Sequence, residues 1–222
     1  MKVLKKYKQI IMVLLYGIFY ILCFAYLEQG RGGMVYHIIH TRLDDMIPFC
    51  EFFIVPYFLW FFYVGITVFY VTCIRKEGFR KFAFSLVFGT LVFILISAVY
   101  PNMQDLRPEV FERDNIFVDL VRMLYKTDTP TNVLPSLHVY MSMITNMAIC
   151  DETAFKKNRA VCWSSQILCI LIVFSTMFLK QHSVIDVGMG IIMAYMVYDW
   201  FYKPAETMDK VWTEKWNSSR IE

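Results

Sequence analysis

Six apolar runs set the pattern of the chain: Gln9–Leu27, Phe52–Ile74, Phe82–Tyr100, Leu134–Cys150, Val161–Leu179 and Ser183–Tyr202. The first, second, third and fifth hold no Asp, Glu, Lys or Arg over 19 to 23 residues, the length a helix needs to cross ~30 Å of hydrocarbon. Lipid admits only helices and closed barrels, and runs this long are helical. The fourth run is shorter and carries His138, and the sixth carries Asp186 and Asp199. The pattern predicts an all-α membrane protein with six transmembrane helices, a single integral domain over residues 1–222.

Polar residues between the runs predict the orientation. Six spans put the N-terminus, the links at 75–81 and 151–160 and the C-terminal tail on one side, with 15 of the 22 Lys and Arg residues. The other side holds Arg31, Arg42, Arg107, Arg113, Arg122, Lys126 and Lys180. The positive-inside rule assigns the first set to the cytoplasm. The first run is too long for a signal-peptide core, and no small-x-small cleavage site follows it, so it reads as a retained span. The compact size points to a bacterial cytoplasmic membrane.

Among the outer loops, Gly30–Gly33 reads as a flexible turn, and Asn115–Lys126 as an amphipathic helix with Ile116, Phe117, Leu120, Met123 and Leu124 on one face. The two-residue link Lys180–Gln181 predicts that the last two spans form a tight antiparallel pair. The tail, with Trp212 and Trp216, suits an interfacial segment. His37 and His40 are spaced as metal ligands could be, but a polar loop face explains them as well. Composition sharpens the class: 58% of residues are hydrophobic and 18% charged, fewer charges than soluble domains carry. Six cysteines without a CxxC pair give neither a disulfide framework nor a thiolate metal site. A net charge of +3 without a basic stripe gives no nucleic-acid footprint.

Three outer stretches carry candidate chemistry. In the first, Lys180-Gln181-His182-Ser183-Val184-Ile185-Asp186, His182 and Asp186 are four residues apart and share a helical face. The carboxylate accepts a hydrogen bond from one ring nitrogen, leaving the other as a base or nucleophile. A carboxylate this close to hydrocarbon is costly without such a partner. In the second, Pro135-Ser136-Leu137-His138 opens a helix, where unpaired N–H groups favour an anion. Ser136 also suits a helix cap. The third, Tyr100 to Pro108, ends in Arg107-Pro108, and an arginine fork matches a phosphate oxygen pair.

Together these stretches resemble the type 2 phosphatidic acid phosphatase superfamily, whose pattern is KxxxxxxRP, then PSGH, then SRxxxxxHxxxD. The resemblance covers roughly residues 82–200. Tyr100 stands where the pattern has lysine, Leu137 where it has glycine and Thr176 where it has the last arginine. The QHxxxD form of the third motif, and Leu43–Phe49 before an aromatic span, look more like the inositol phosphorylceramide synthase branch. The resemblance implies that His182 attacks phosphorus, Asp186 holds its ring and His138 protonates the leaving oxygen. It also implies that Arg107, Ser136 and the helix-start N–H groups hold the phosphoryl oxygens. With two cations missing, Lys180 is the first candidate to compensate and Arg113 the second.

The expected function is then a lipid-phosphate phosphatase at the outer membrane–water interface, acting on a lipid phosphate or pyrophosphate without metal or cofactor. Transfer of a phosphate-bearing head group to a lipid hydroxyl uses the same residues and stays open. A six-span protein with a degenerate site is a further alternative. No GxSG motif supports an intramembrane serine protease. Neither the lipid nor the oligomeric state is legible.

Overall fold

The computed structural model describes residues 2–28, 35–74, 78–151 and 158–202. Its centre is helix α6 (Leu137–Asp151), which buries Val139, Tyr140, Met141, Ser142, Ile144, Thr145 and Ala148. Burial of successive residues leaves no solvent face, so other helices must surround it. Around it stand α3 (Ile54–Phe69), α4 (Phe79–Val99), α7 (Arg159–Phe178) and α8 (Val184–Val197), each packed against α6. The ring of Tyr140 lies over Gly89 of α4, where a Cβ would collide with it, and its hydroxyl donates to the Ser85 carbonyl across 2.5 Å. The first helix, α1 (Lys2–Glu28), lies outermost, mainly against α4.

Five segments are long and apolar enough to cross a membrane: Lys8–Leu27, Glu51–Ile74, Phe79–Val99, Arg159–Phe178 and Val184–Tyr202. They match five of the six expected runs. The fourth run differs. Its helix, α6, has 15 residues, about 22 Å at 1.5 Å per residue, short of the ~30 Å of a hydrocarbon core. It is hidden by its neighbours rather than sized to the bilayer. Large side chains such as Leu14, Leu15, Leu22, Phe62 and Phe69 point away from the protein, as a helix surface facing lipid requires.

The expected tight pairing of the last two spans does not form. α6 packs extensively against both α7 and α8, while α7 and α8 touch little beyond their connecting turn. The turn is short, but the buried helix wedges the pair apart.

At one end, loop segments are stitched together. Strand β1 (His37–Ile38) pairs in parallel with β2 (Asn102–Met103). The Asn102 side chain accepts the Leu134 N–H at 2.8 Å and donates to the Tyr100 carbonyl at 2.8 Å. A short helix, α2 (Arg42–Met46), follows, started by a capping box between Thr41 and Asp44. The amphipathic helix is present as α5 (Ile116–Thr127), capped by Asn115, whose side-chain oxygen accepts from the Phe117 and Val118 N–H groups. Its buried face differs from the expected one: Val118, Val121 and Leu124 are buried, while Ile116 and Met123 are exposed. Val118 and Val121 continue the Leu124 stripe at helical spacing. The glycine-rich turn at 30–33 and the tail with Trp212 and Trp216 lie outside the described residues.

Candidate active site

The turn between α7 and α8 is held at every residue. The N–H groups of Gln181 and His182 both donate to the Thr176 carbonyl, at 2.9 and 3.1 Å. Lys180 adopts the left-handed conformation, with φ of 53°, a helix-ending geometry that costs a side-chain-bearing residue ~1 kcal/mol. Tyr125 of α5 donates its hydroxyl to the Leu179 carbonyl at 2.7 Å.

From the other side comes Asp44. Its buried carboxylate accepts from the Ser183 hydroxyl (2.7 Å) and the Val184 N–H (2.8 Å), as well as from the Thr41 N–H and hydroxyl. The Lys180 ammonium donates to the Asp44 carbonyl at 2.6 Å. Asp44 therefore grips the chain on both sides of His182 and caps the start of α8, where a negative charge is favoured.

In this frame the His182 Nδ1 is 2.6 Å from an Asp186 carboxylate oxygen. Nδ1–H donates to the carboxylate, and Nε2 keeps the lone pair. Facing Nε2 at 3.4 Å is Nδ1 of His138, in the first turn of α6. The two histidines are brought together by close approach of α6 and α8. The Ser136 N–H donates to the Asp186 carbonyl at 3.0 Å. A Cβ on Gly190 would stand 2.7 Å from the Ser136 carbonyl oxygen, so only glycine permits this spacing. The His138 ring packs against Tyr57 and Trp60, with centroids 4.7 and 4.5 Å away.

Both histidines open on a cavity of about 320 Å³. Aromatic residues of α1, α3 and α4 line it, together with Thr127–Thr129, Thr131–Val133 and Gln181. The Gln181 carboxamide oxygen accepts from Arg107 at 2.5 Å, while its buried Nε2 has no hydrogen-bond partner among the described residues. A buried amide donor without a partner costs ~1–3 kcal/mol. In a cavity wall beside His182, it suits a ligand acceptor atom.

Of the residues singled out in the sequence, His138, His182 and Asp186 thus come together. The others occupy different positions. Arg107 stands behind the wall. It stacks on Tyr125, 4.5 Å from the ring centroid, and donates to the Tyr125 and Asp128 carbonyls and to Gln181. Ser136 is fully buried and caps α6, accepting the Val139 N–H on its hydroxyl at 3.4 Å. It does not line the cavity, and neither does Lys180, which is bound to Asp44. Arg113 is paired with buried Glu51 at 3.1 Å. Tyr100, in the motif lysine position, stacks on His37 at 4.2 Å, away from the cavity. Thr176 bonds to the Val173 carbonyl within its own helix. Neither Lys180 nor Arg113 therefore supplies the missing cation here, because nearer partners claim both.

Asp44 and Gln181 were not singled out in the sequence. The QH dipeptide is the signal for Gln181, since a polar residue beside a candidate nucleophile is placed to touch its substrate. For Asp44 the capping-box pattern marks only the local role. Burial alone would raise the Asp44 carboxyl, but the bonds from Ser183, Val184 and Thr41 outweigh it and hold the group below the ordinary carboxylate range. Burial pushes the Lys180 ammonium below its usual value, against the pull of Asp44 and Asp45. His40 is raised by its hydrogen bond to Asp45. Among the described residues no group of three or more His, Cys, Asp or Glu side chains is arranged to hold a metal ion. No protein-family model, curated protein or solved structure matches the chain.

Proposed function

We propose that the protein is a lipid-phosphate phosphatase working through a phosphohistidine, with its site at the extracytoplasmic interface of a six-span membrane domain. The observation that carries the reading is the relay Asp186–His182–His138, with spacings of 2.6 and 3.4 Å, at the wall of an aromatic-lined cavity. A carboxylate fixes the tautomer of one histidine, whose free nitrogen faces a second histidine. This suits nucleophilic attack followed by proton transfer.

The phosphoryl group enters from the cavity and displaces the contact between the histidines. His182 Nε2 forms a bond to phosphorus as the bond to the lipid oxygen breaks, and protonated His138 gives that oxygen its proton. His138 then takes a proton from water, which attacks phosphorus and releases phosphate and His182. Asp186 balances the charge on the His182 ring throughout. The phosphoryl oxygens are met by the Gln181 amide, by the positive end of α6 and, at longer range, by Arg107.

Transfer to a hydroxyl acceptor is the second reading. The cavity lining also carries Thr127, Asp128, Thr129 and Asn132, groups that hydrogen-bond hydroxyls, as Asp128 does with the Tyr57 hydroxyl at 3.0 Å. A hydroxyl held there would take the place of water.

The test is phosphate release from a panel of lipid phosphates by purified full-length protein in detergent with EDTA, comparing wild type with His182→Ala. Release lost in the mutant supports the phosphatase. Head-group exchange that requires an added hydroxyl lipid assigns transfer instead. Absence of both rejects the reading.

A further inference from the structure

We propose that an apolar groove between α1, α3 and α4 binds one hydrocarbon chain of the lipid whose phosphate is held at His182. The inference rests on the lipid-phosphate reading of the site. The groove encloses about 610 Å³. Its walls are aliphatic and aromatic, among them Met12 and Gly17 of α1, Val64 and Val68 of α3 and Leu86 of α4. The polar atoms of Tyr16 and Thr90, also on its wall, are hydrogen-bonded to each other, and Thr90 further bonds to the Leu86 carbonyl. Apart from the Tyr20 phenol, the wall offers a ligand apolar contact, which suits a hydrocarbon chain.

Adjacency to the histidine cavity points to which chain. Tyr20 lines both spaces. Phe24, one turn further along α1, lines the histidine cavity, while Met12 lines the groove. Twelve residues of helix separate them, about 18 Å, comparable to the ~15 Å of hydrocarbon in one leaflet. A lipid with its phosphate at His182 would pass the aromatic wall at Phe24 and Phe93 and lay a chain along α1. Gly17 lies in this path, and a Cβ there meets nothing within 4 Å. A side chain added at 17 therefore starts in open space on the groove wall.

The test uses full-length protein in phosphatidylcholine vesicles and a phosphatidic acid bearing a diazirine in a palmitoyl chain. Photolabel is expected on α1 and α4 around Gly17 and Leu86. Unlabelled phosphatidic acid should compete it away, and excess phosphatidylcholine should not. Gly17→Phe should lower labelling and kcat/KM for dipalmitoyl phosphatidic acid about tenfold or more, by excluding several buried methylenes. Dioctanoyl phosphatidic acid, whose chains end sooner, should change less than about twofold. A Cβ at Gly65 likewise meets nothing within 4 Å, but Gly65 does not line the groove, and Gly65→Phe should change neither quantity.

Labelling competed equally by phosphatidylcholine means that bulk lipid fills the groove and overturns the proposal, as does equal loss on both chain lengths in Gly17→Phe. Competed labelling without phosphate release from any lipid would reject the phosphatase reading and keep the groove. Release that depends on His182, without competed labelling, would do the reverse.

Discussion

The two histidines face each other across 3.4 Å but are held in opposite ways. His182 is fixed by hydrogen bonds: its N–H to Thr176, its ring to Asp186, and its flanking residues to Asp44. His138 is held by tilted ring contacts with Tyr57 and Trp60, at 33° and 48°, and among the described residues its ring has one polar partner, His182. Hydrogen bonds fix direction, whereas tilted ring contacts restrain a ring's position without fixing the direction of its nitrogens. A nucleophile needs one tautomer and one line of attack. A proton donor that must follow a leaving oxygen and then a water needs freedom to turn. The difference in support therefore matches the division of labour proposed for the pair.

Several measurements would break or sharpen this comparison. The largest effect separates the roles by leaving group. His138→Ala should lose about 10²–10⁴-fold in kcat on a lipid phosphate, but far less on a p-nitrophenyl phosphate ester, whose leaving group needs no proton. His182→Ala should be inactive on both. Equal rescue of the two variants by the activated ester would dissolve the distinction. Next in size is Gln181→Leu, which removes a donor to the phosphoryl oxygens while keeping the side chain's bulk. Loss of one such donor costs about 10²–10³-fold in kcat, and an unchanged kcat would remove Gln181 from the site.

The smallest effect concerns the frame around His182. Asp44 titrates below the ordinary carboxylate value. Its contribution to stability is therefore full above that value and lost as pH falls through the lowered one. At neutral pH, Asp44→Asn should destabilise the fold by about 1–2 kcal/mol, read as a lower Tm in detergent. The gap to wild type should close in strong acid, and a gap independent of pH would show that the charge is not what Asp44 contributes.

Five long helices were legible because apolar runs without charge leave few alternatives. The His182–Asp186 bond was legible because four residues fix it locally. The facing of His138 and His182, 44 residues apart, was legible only coarsely: topology put both on the outer face, and the family resemblance gave them a shared site. Asp44 was not legible as a support of the site, because an acid in a loop resembles any surface carboxylate until burial brings it to Ser183, 139 residues on. Lys180, Ser136 and Arg113 show the opposite error. Each has the right chemistry for phosphate, but a nearer partner satisfies it: a backbone carbonyl, an N–H and a buried glutamate. Spacing along the chain shows what a side chain offers, and packing decides what takes the offer. α5 erred in a third way, since several apolar stripes were available and the tertiary contacts chose one.

Gly190 carries no functional group, yet the gap between the histidines depends on it. The Ser136 carbonyl is so close that a single methyl group would drive α8 from α6, and Asp186 lies one turn away on the same helix. Displacements of about 1 Å at reacting groups cost on the order of 10²-fold in rate. In a screen that scores only turnover, position 190 would be indistinguishable from a member of the relay, although what a substitution there disturbs is the packing of α8 on α6. The spacing of the two histidines thus depends on a position that carries no chemistry, through the thickness of one missing side chain.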